Sequence, residues 1–297
     1  MSMLLNDYVL NIAIMTLFWA GLAGAWNIMA GYGGLVSLGH AAFFGIGAYA
    51  TGSAYGMFGL SPWLGLAAGV VVSMALAAAV GWPCFRLRGA FFSLATMVFP
   101  IAMEIVANNW SELTRGPSGI AIPFKPGLEN FIFRSRWPYL AAAALFAAAI
   151  FVLTAAIHRG RLGLSLIAVR DDEAAAEALG VRPLRTKLIA TLLSAGLTAV
   201  GGFFYAQYIL FVDPPSVFSI NVSVQIALLA IIGGLGTPLG PLVGSALMTP
   251  LDGVLSQFLG GGPRLLLYGL VLLAVVLLMP QGIVGTVQAW RRRGRRC

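Results

Sequence analysis

The chain contains 297 residues, of which 59% are hydrophobic and 9% are charged, and its mean hydropathy is +0.90. These values exclude a soluble globular domain and are typical of a polytopic helical membrane protein. The formal net charge of +8 does not indicate nucleic-acid binding, because the basic residues lie at the ends of apolar segments. Cys84 and Cys297 lie far apart without disulfide or metal-ligand spacing, so redox chemistry is not expected.

Apolar segments follow one another along most of the chain and predict an all-α polytopic integral membrane protein. The stretch between Asp7 and Arg86 contains no charged residue, which leaves room for three crossings at about 20 residues each. The alternating pattern of outer-membrane barrels is absent, so helices are the expected spanning structure. Because no basic region precedes the first apolar segment, we expect a retained span and not a cleaved signal peptide. A single domain (1–297) with about 8–10 transmembrane helices is expected, with nine candidate segments near residues 8–30, 36–57, 62–83, 89–108, 138–157, 187–211, 219–235, 238–258 and 265–286.

The distribution of basic residues predicts the orientation in the membrane, since lysine and arginine favour cytoplasmic loops. Three basic regions are therefore placed in the cytoplasm: Arg86 with Arg88, a loop at about 158–187, and a C-terminal tail at 291–297. The loop at about 109–137 is then external. Nine crossings place the N-terminus outside, although a re-entrant segment at Gly31–Leu38 would reverse that side.

Two segments rich in glycine and proline interrupt the apolar pattern in a similar way. They are GYGGLVSLG at Gly31–Gly39 and GGLGTPLGP at Gly233–Pro241. One interpretation is a weak internal repeat of transport proteins, in which broken helices bring backbone groups to the transport path. The other is close packing alone, because small residues are common wherever membrane helices touch.

The densest group of charges lies at Ala168–Lys187, which we call the charged segment. At roughly 3 kcal/mol per charge at a bilayer centre, burying the ten charges of this region in hydrocarbon would cost on the order of 30 kcal/mol. The region must therefore lie in water between two spans. The ten charged residues are Arg159, Arg161, Arg170, Asp171, Asp172, Glu173, Glu177, Arg182, Arg185 and Lys187.

A short helix is predicted inside the charged segment. Asp171 is a suitable N-cap, and Gly180 suits the position just past the C-terminus. The helix would have about nine residues, too few to cross a membrane. Glu173 and Glu177 lie four residues apart as an unpaired like-charge pair, and the alanines between them would let another protein approach closely. The alternative is an ordinary solvated loop helix.

The few polar residues within the apolar segments form no recognisable catalytic set. His40 has no acid, thiol or second histidine at triad or metal-ligand spacing, so a hydrogen-bonded packing role is favoured. The phosphate-binding loop of ATPases is absent, since the only lysines are Lys125 and Lys187, and the chain is not expected to be an enzyme. Asp252 or Glu104 could instead serve an ion-coupled secondary transporter.

Several motifs match a known family in the right order. SLGHAAFFGIGAY stands at Ser37–Tyr49, and an Arg-Leu-Arg-Gly step at Arg86–Gly89 precedes Asn109-Trp110 and Thr114–Gly116. The Ala168–Gly180 loop and the Gly233–Pro241 segment follow. Over essentially its whole length the chain resembles the membrane permease subunit of branched-chain amino acid ABC importers, of the LivM type.

The resemblance implies that Asp171–Gly180 is the coupling helix that docks in a groove of the ATPase subunit. It also implies a complex in the bacterial inner membrane with two ATP-binding subunits, which carry ATP and magnesium, a second homologous permease and a periplasmic binding protein. This chain itself would hold no cofactor or metal. The solute would be a branched-chain amino acid or a related small polar molecule.

The resemblance further implies three groups of functional residues. Coupling to the ATPase is assigned to Arg170, Asp171, Asp172, Glu173, Glu177, Leu179 and Gly180. The translocation path is assigned to Asn27, Ser37, His40, Phe43, Phe44, Gln225 and Thr237. Docking of the binding protein is assigned to Asn109, Trp110 and Arg115.

Overall fold

The structure is a computed structural model that describes residues 2–87, 89–258 and 282–293, together with residues 269, 270, 273, 277 and 279. It confirms the all-α membrane protein. Two strands of two residues each, β1 (Ile120–Ala121) and β2 (Phe211–Val212), accompany the helices. The helices of the described part are α1 (Ser2–Asn27), α2 (His40–Gly52), α3 (Pro62–Cys84), α4 (Ala90–Asn109), α5 (Ser111–Thr114), α6 (Trp137–Arg159), α7 (Arg161–Asp171), α8 (Glu173–Ala178), α9 (Pro183–Ile209), α10 (Pro214–Val217), α11 (Ile220–Gly233), α12 (Gly240–Phe258) and α13 (Gly282–Arg293).

Six helical stretches among the described residues are long and apolar enough to cross a membrane. Two further candidate segments coincide with α2 and α12. Helix α2 has 13 residues and continues into a π-helical turn at Ser53–Met57, and α12 has 19 residues with Pro250 in its interior. Most of the ninth segment, 265–286, lies outside the described residues. The six stretches are Asp7–Tyr32, Pro62–Cys84, Ala90–Asn109, Trp137–Arg159, Pro183–Ile209 and Pro214–Gly233.

The chain folds into two compact units. The first contains residues 2–27 and 136–158 with the described residues from Ile226 onward, and α1 packs along α12 within it. The second contains residues 28–135 and 159–225, and its centre is formed by α2, α3 and α9. Each unit is therefore assembled from segments that are distant in sequence.

Glycines allow the backbones of α2, α3 and α9 to touch in the second unit. A Cβ atom on Gly47 of α2 would lie 2.7 Å from the Cα of Ala199 on α9, and one on Gly202 would lie 2.7 Å from the backbone nitrogen of Ala48. On α3, a Cβ on Gly65 would lie 2.7 Å from the Cα of Thr51. Such contacts are the usual way in which membrane helices pack, because apolar burial gives little driving force in lipid.

A short antiparallel ladder joins two loops of the second unit. Ile120 of β1 pairs with Val212 of β2, and Ala121 pairs with Phe211. The loop at 109–137 therefore lies beside the C-terminal end of α9. Both lie on the external side in the predicted topology, as such pairing requires.

Candidate coupling surface and path residues

The charged segment forms two helices that meet at Asp172. The prediction that Asp171 caps the short helix is wrong, because Asp171 is the last residue of α7. Asp172 has extended backbone angles (φ −154°, ψ 110°), and its Oδ1 accepts hydrogen bonds from the amides of Ala174 (2.9 Å) and Ala175 (3.0 Å). Residues 161–171 already form the helix α7, so the break comes one residue later than the local acidic pattern indicates.

The short helix α8 has six residues, three fewer than the nine expected, and ends at a glycine cap. Gly180 has φ +86°, as expected of the predicted position past the C-terminus. Its amide donates to the carbonyl of Glu177 (2.9 Å), and the amide of Val181 donates to the carbonyl of Ala176 (3.1 Å). This pair of bonds is the Schellman arrangement, which satisfies the last carbonyls of a helix.

One of the two predicted docking glutamates is engaged inside the molecule. Glu173 Oε2 lies 2.8 Å from Lys187 Nζ, and the lysine side chain is only 9% exposed. The prediction that Glu173 is unpaired is therefore wrong, as is the placement of Lys187 in water. The cause is that α9 begins at Pro183 and not at residue 187, which brings Lys187 into the packed helix.

The surface that α8 leaves open consists of three alanines, one glutamate and one large apolar side chain. Ala176 faces inward and is buried, whereas Leu179 is 84% exposed. We call this surface the coupling face; its exposed members are Ala174, Ala175, Glu177, Ala178 and Leu179.

Arg170 connects the charged segment to the first glycine-rich segment. Its Nη1 donates to the carbonyl of Gly31 at 3.0 Å, and its guanidinium forms an ion pair with Asp171 at 3.0 Å. Gly34 has φ +67°, and a Cβ there would lie 2.5 Å from Arg170 Cγ. Both the positive φ and the lack of room for a Cβ atom thus favour glycine at position 34.

Four of the predicted path residues lie around the N-terminus of α2. His40 is fully buried, and its Nε2 is hydrogen-bonded to Ser194 Oγ of α9 at 2.7 Å. Ser37 Oγ accepts from the amide of Gly39 at 3.1 Å. The ring centroid of Phe44 lies 5.2 Å from that of Tyr205. Phe43 packs in a separate apolar cluster, whose other buried members are Ala42, Ala77, Phe99 and Ala195.

Asn27 and Thr237, both in the first unit, lie together at the second glycine-rich segment. Asn27 Nδ2 donates to the Thr237 carbonyl at 3.0 Å, and its Oδ1 accepts from the amide of Gly236 at 2.9 Å. The side chain of Asn27 thereby holds the turn that leads into α12. Gln225 lies on α11 and is partly exposed.

The predicted docking residues of the external loop surround Thr114, which organises the local backbone. Thr114 Oγ1 donates to the carbonyls of Ala107 (2.6 Å) and Trp110 (2.7 Å). Arg115 follows in the left-handed conformation with φ +58°, and Trp110 is 52% exposed. Asn109 donates to the carbonyl of Ile105 one turn earlier, so its amide is engaged within α4.

Comparison with known proteins identifies the family. The model of the branched-chain amino acid transport system permease component matches residues 8–279. The chain belongs to this family. It is 30% identical to the high-affinity branched-chain amino acid transport system permease protein LivM of Salmonella typhimurium, over 92% of this chain and 69% of LivM.

Two other relatives place the permease within its family. It is 26% identical to the permease protein LivH of Escherichia coli, over 90% of this chain and 91% of LivH. It is 34% identical to the autoinducer 2 import system permease protein LsrC of Klebsiella pneumoniae, over 41% of this chain and 37% of LsrC. No solved structure matches the permease.

The acids considered for ion coupling are only partly buried. Glu104 on α4 and Asp252 on α12 are both of intermediate exposure. Within the described parts of the permease, no three His, Cys, Asp or Glu residues lie close enough to hold a metal ion.

Sequence reasoning missed the two serines that hold the start of α2. Ser194 contacts His40, and Ser223 Oγ accepts from the amide of Ala41 at 2.8 Å. Each serine lies in a largely apolar helix, where a buried hydroxyl requires a partner. This requirement predicts that each serine has a hydrogen-bond partner, but it does not identify that partner.

Proposed function

We propose that this permease forms part of the translocation path of an ABC importer for branched-chain amino acids or a related small solute. Separate subunits would bind ATP and magnesium in the cytoplasm of a bacterium, and a periplasmic binding protein would deliver the solute. The match to both LivM and LivH supports pairing with a second, homologous permease. The match to LsrC covers less of the chain, so it supports a role as an import permease and does not indicate a different substrate.

The observation that carries the proposal is the coupling face on α8. Leu179 stands 84% exposed at the end of a helix that is capped at both ends. A leucine in a loop that the charge pattern places in water gains roughly 1.5–3 kcal/mol when a partner covers it. The alanines beside it permit a close backbone approach, so the coupling face suits a groove on another subunit.

We infer from exposure and pairing which residues of the coupling helix would meet that subunit. Glu177 and Leu179 belong to the coupling face, whereas Glu173 is paired with Lys187 inside the permease. Asp172 and Gly180 shape the ends of α8 through backbone hydrogen bonds. We assign contact to the first two residues and positioning to the others.

The test is co-purification of the permease with tagged ATP-binding subunits, followed by uptake of radiolabelled leucine into proteoliposomes. Leu179→Asp would place a charge in the docking groove and should remove most of the bound ATPase and the ATP-dependent uptake. Leu128→Asp is the matched control, since Leu128 is 79% exposed in the loop predicted to be external. Its ATPase content should equal that of the wild type.

Two results would contradict the proposal. The first is full ATPase binding and uptake by the Leu179→Asp complex. The second is leucine uptake driven by an ion gradient in vesicles without any ATPase, which would favour a secondary transporter that uses Asp252 or Glu104.

A further inference from the structure

Lys187 is a charged residue in a position where charge is costly. Its side chain is 9% exposed within α9, and its ammonium lies 2.8 Å from the carboxylate of Glu173, which is 37% exposed. Removing an ammonium from water is unfavourable unless a partner compensates it. A residue with this cost is expected to have a role that an apolar side chain could not fill.

The ion pair is the principal side-chain attachment of α8. The helix has six residues, far below the length at which an isolated helix is stable in water. Among those six residues, all of which the structure describes, Ala176 alone is buried. Asp172, in extended conformation, precedes α8, and residues 179–182 follow it outside any helix. Without the ion pair, α8 would be joined to its surroundings mainly through these non-helical connections.

Lys187 also begins a buried polar row that runs along α9. Thr191 follows one turn later and donates to the Lys187 carbonyl at 2.9 Å. Ser194, a further turn along, is hydrogen-bonded to His40 of α2 at 2.7 Å. The spacing of four and three residues places all three side chains on one face of the helix. A displacement of the start of α9 would thus reach α2 along this helix.

We propose that Lys187 is a positioning residue for transport, which holds the coupling helix α8 to α9 through Glu173. Movement imposed on α8 then moves α9 and the His40–Ser194 contact. If the ion pair is absent, the connection at residues 179–182 absorbs the movement. This inference rests on the proposed function, because it requires an ATPase that moves α8.

The experiment measures leucine uptake and ATP hydrolysis together in the reconstituted complex. Lys187→Met keeps the apolar stem and removes the charge. We expect the number of leucines transported per ATP to fall about 10-fold, within the usual range of coupling between distant sites. ATP hydrolysis and the amount of bound ATPase should stay within about twofold of the wild type.

Three further variants separate positioning from a general loss of charge. Arg185→Met is the matched control, because Arg185 is an exposed cation two positions earlier on the same helix; its transport ratio should remain that of the wild type. Lys187→Arg should retain most of the ratio, since the guanidinium still pairs with Glu173. The double exchange Glu173→Lys with Lys187→Glu should give a transport ratio several-fold higher than that of either single variant.

A wild-type transport ratio in Lys187→Met would overturn the inference, as would an exchange variant no better than its parents. These outcomes are distinct from failure of the proposed function, which would appear as a wild-type complex without ATP-dependent leucine uptake.

A measurement on the permease alone covers variants that do not assemble. A spin label attached through Ala178→Cys, at an exposed position of α8 and in a Cys84→Ser and Cys297→Ser background, reports the mobility of that helix. The inference predicts a clearly more mobile spectrum after Lys187→Met and an unchanged one after Arg185→Met. An unchanged spectrum after Lys187→Met would show that the ion pair does not hold α8.

Discussion

Replacing Gly47 by alanine tests whether backbone contact between α2 and α9 stabilises the second unit. The added Cβ would lie 2.7 Å from the Cα of Ala199, whereas ordinary contact begins at 3.4 Å. The carbonyl oxygen of Ala199 would lie closer still, so the two helices must separate by at least about 0.7 Å, the difference between these two distances. The obstacle is backbone and cannot rotate away, so the change should lie at the upper end of overpacking costs, about 3 kcal/mol.

Part of this cost is the van der Waals attraction lost along the whole interface between α2 and α9. A gap of roughly 0.5–1 Å forfeits a quarter to a half of the attraction between facing atoms. At about 2–4 °C per kcal/mol for a chain somewhat smaller than this one, a cost of about 3 kcal/mol corresponds to a fall of about 6–12 °C in the apparent Tm. Tryptophan fluorescence of the detergent-solubilised permease would measure it, at one scan rate for all variants because unfolding of such proteins is often irreversible.

Gly196→Ala provides the matched control on α9. A Cβ at Gly196 would meet only Met74 and Val70 side-chain atoms at 3.4–3.6 Å, which is ordinary contact. Alanine is also the better helix former by roughly 0.5–1 kcal/mol, so the Tm should be unchanged or slightly raised. Equal Tm values for Gly47→Ala and the wild type would refute the reasoning about backbone contact.

Three further changes test the capping, turn and histidine contacts. Asp172→Ala should remove about 1 kcal/mol of cap stability from α8 and speed cleavage after Glu177 by a glutamate-specific protease, whereas Asp172→Asn should resemble the wild type; equal rates for all three would exclude the cap. Asn27→Leu leaves two backbone groups of the adjoining turn without their partner and should cost about 1–3 kcal/mol, seen as a lower Tm; an unchanged Tm would contradict it. His40→Phe and Ser194→Ala should show a coupling energy of about 1–2 kcal/mol in a double-mutant cycle of thermal stability, and strict additivity would mean that their hydrogen bond contributes nothing.

The sequence predicts which types of residue end α8, but it places the N-terminal cap one residue too early. An acidic cap and a glycine stop are local features, so both were expected before the structure, and Gly180 occupies its predicted position. The cap is Asp172 and not Asp171, because Asp171 is the last residue of α7. Helix ends depend on neighbouring elements as well as on local preference.

Long-range partners could not be predicted in the same way. Glu173 and Lys187 are 14 residues apart, and His40 and Ser194 are 154 residues apart. The charge of Lys187 predicted a position in water. In the structure α9 begins at Pro183, which buries Lys187, and Glu173 compensates its charge. The placement of Asn27 beside Thr237, 210 residues later, likewise follows from packing within the first unit.

By itself, the sequence determined that this protein is a helical membrane protein, which regions carry charge, and which permease family it resembles. Those properties depend on the cost of placing charged and backbone polar groups in hydrocarbon, a cost that each segment incurs on its own. The tertiary structure decided which polar side chains meet and which remain open to a partner. Such contacts depend on how segments distant in the chain pack, so the same acid of α8 that suggested docking forms an internal ion pair, whereas Leu179 is left exposed.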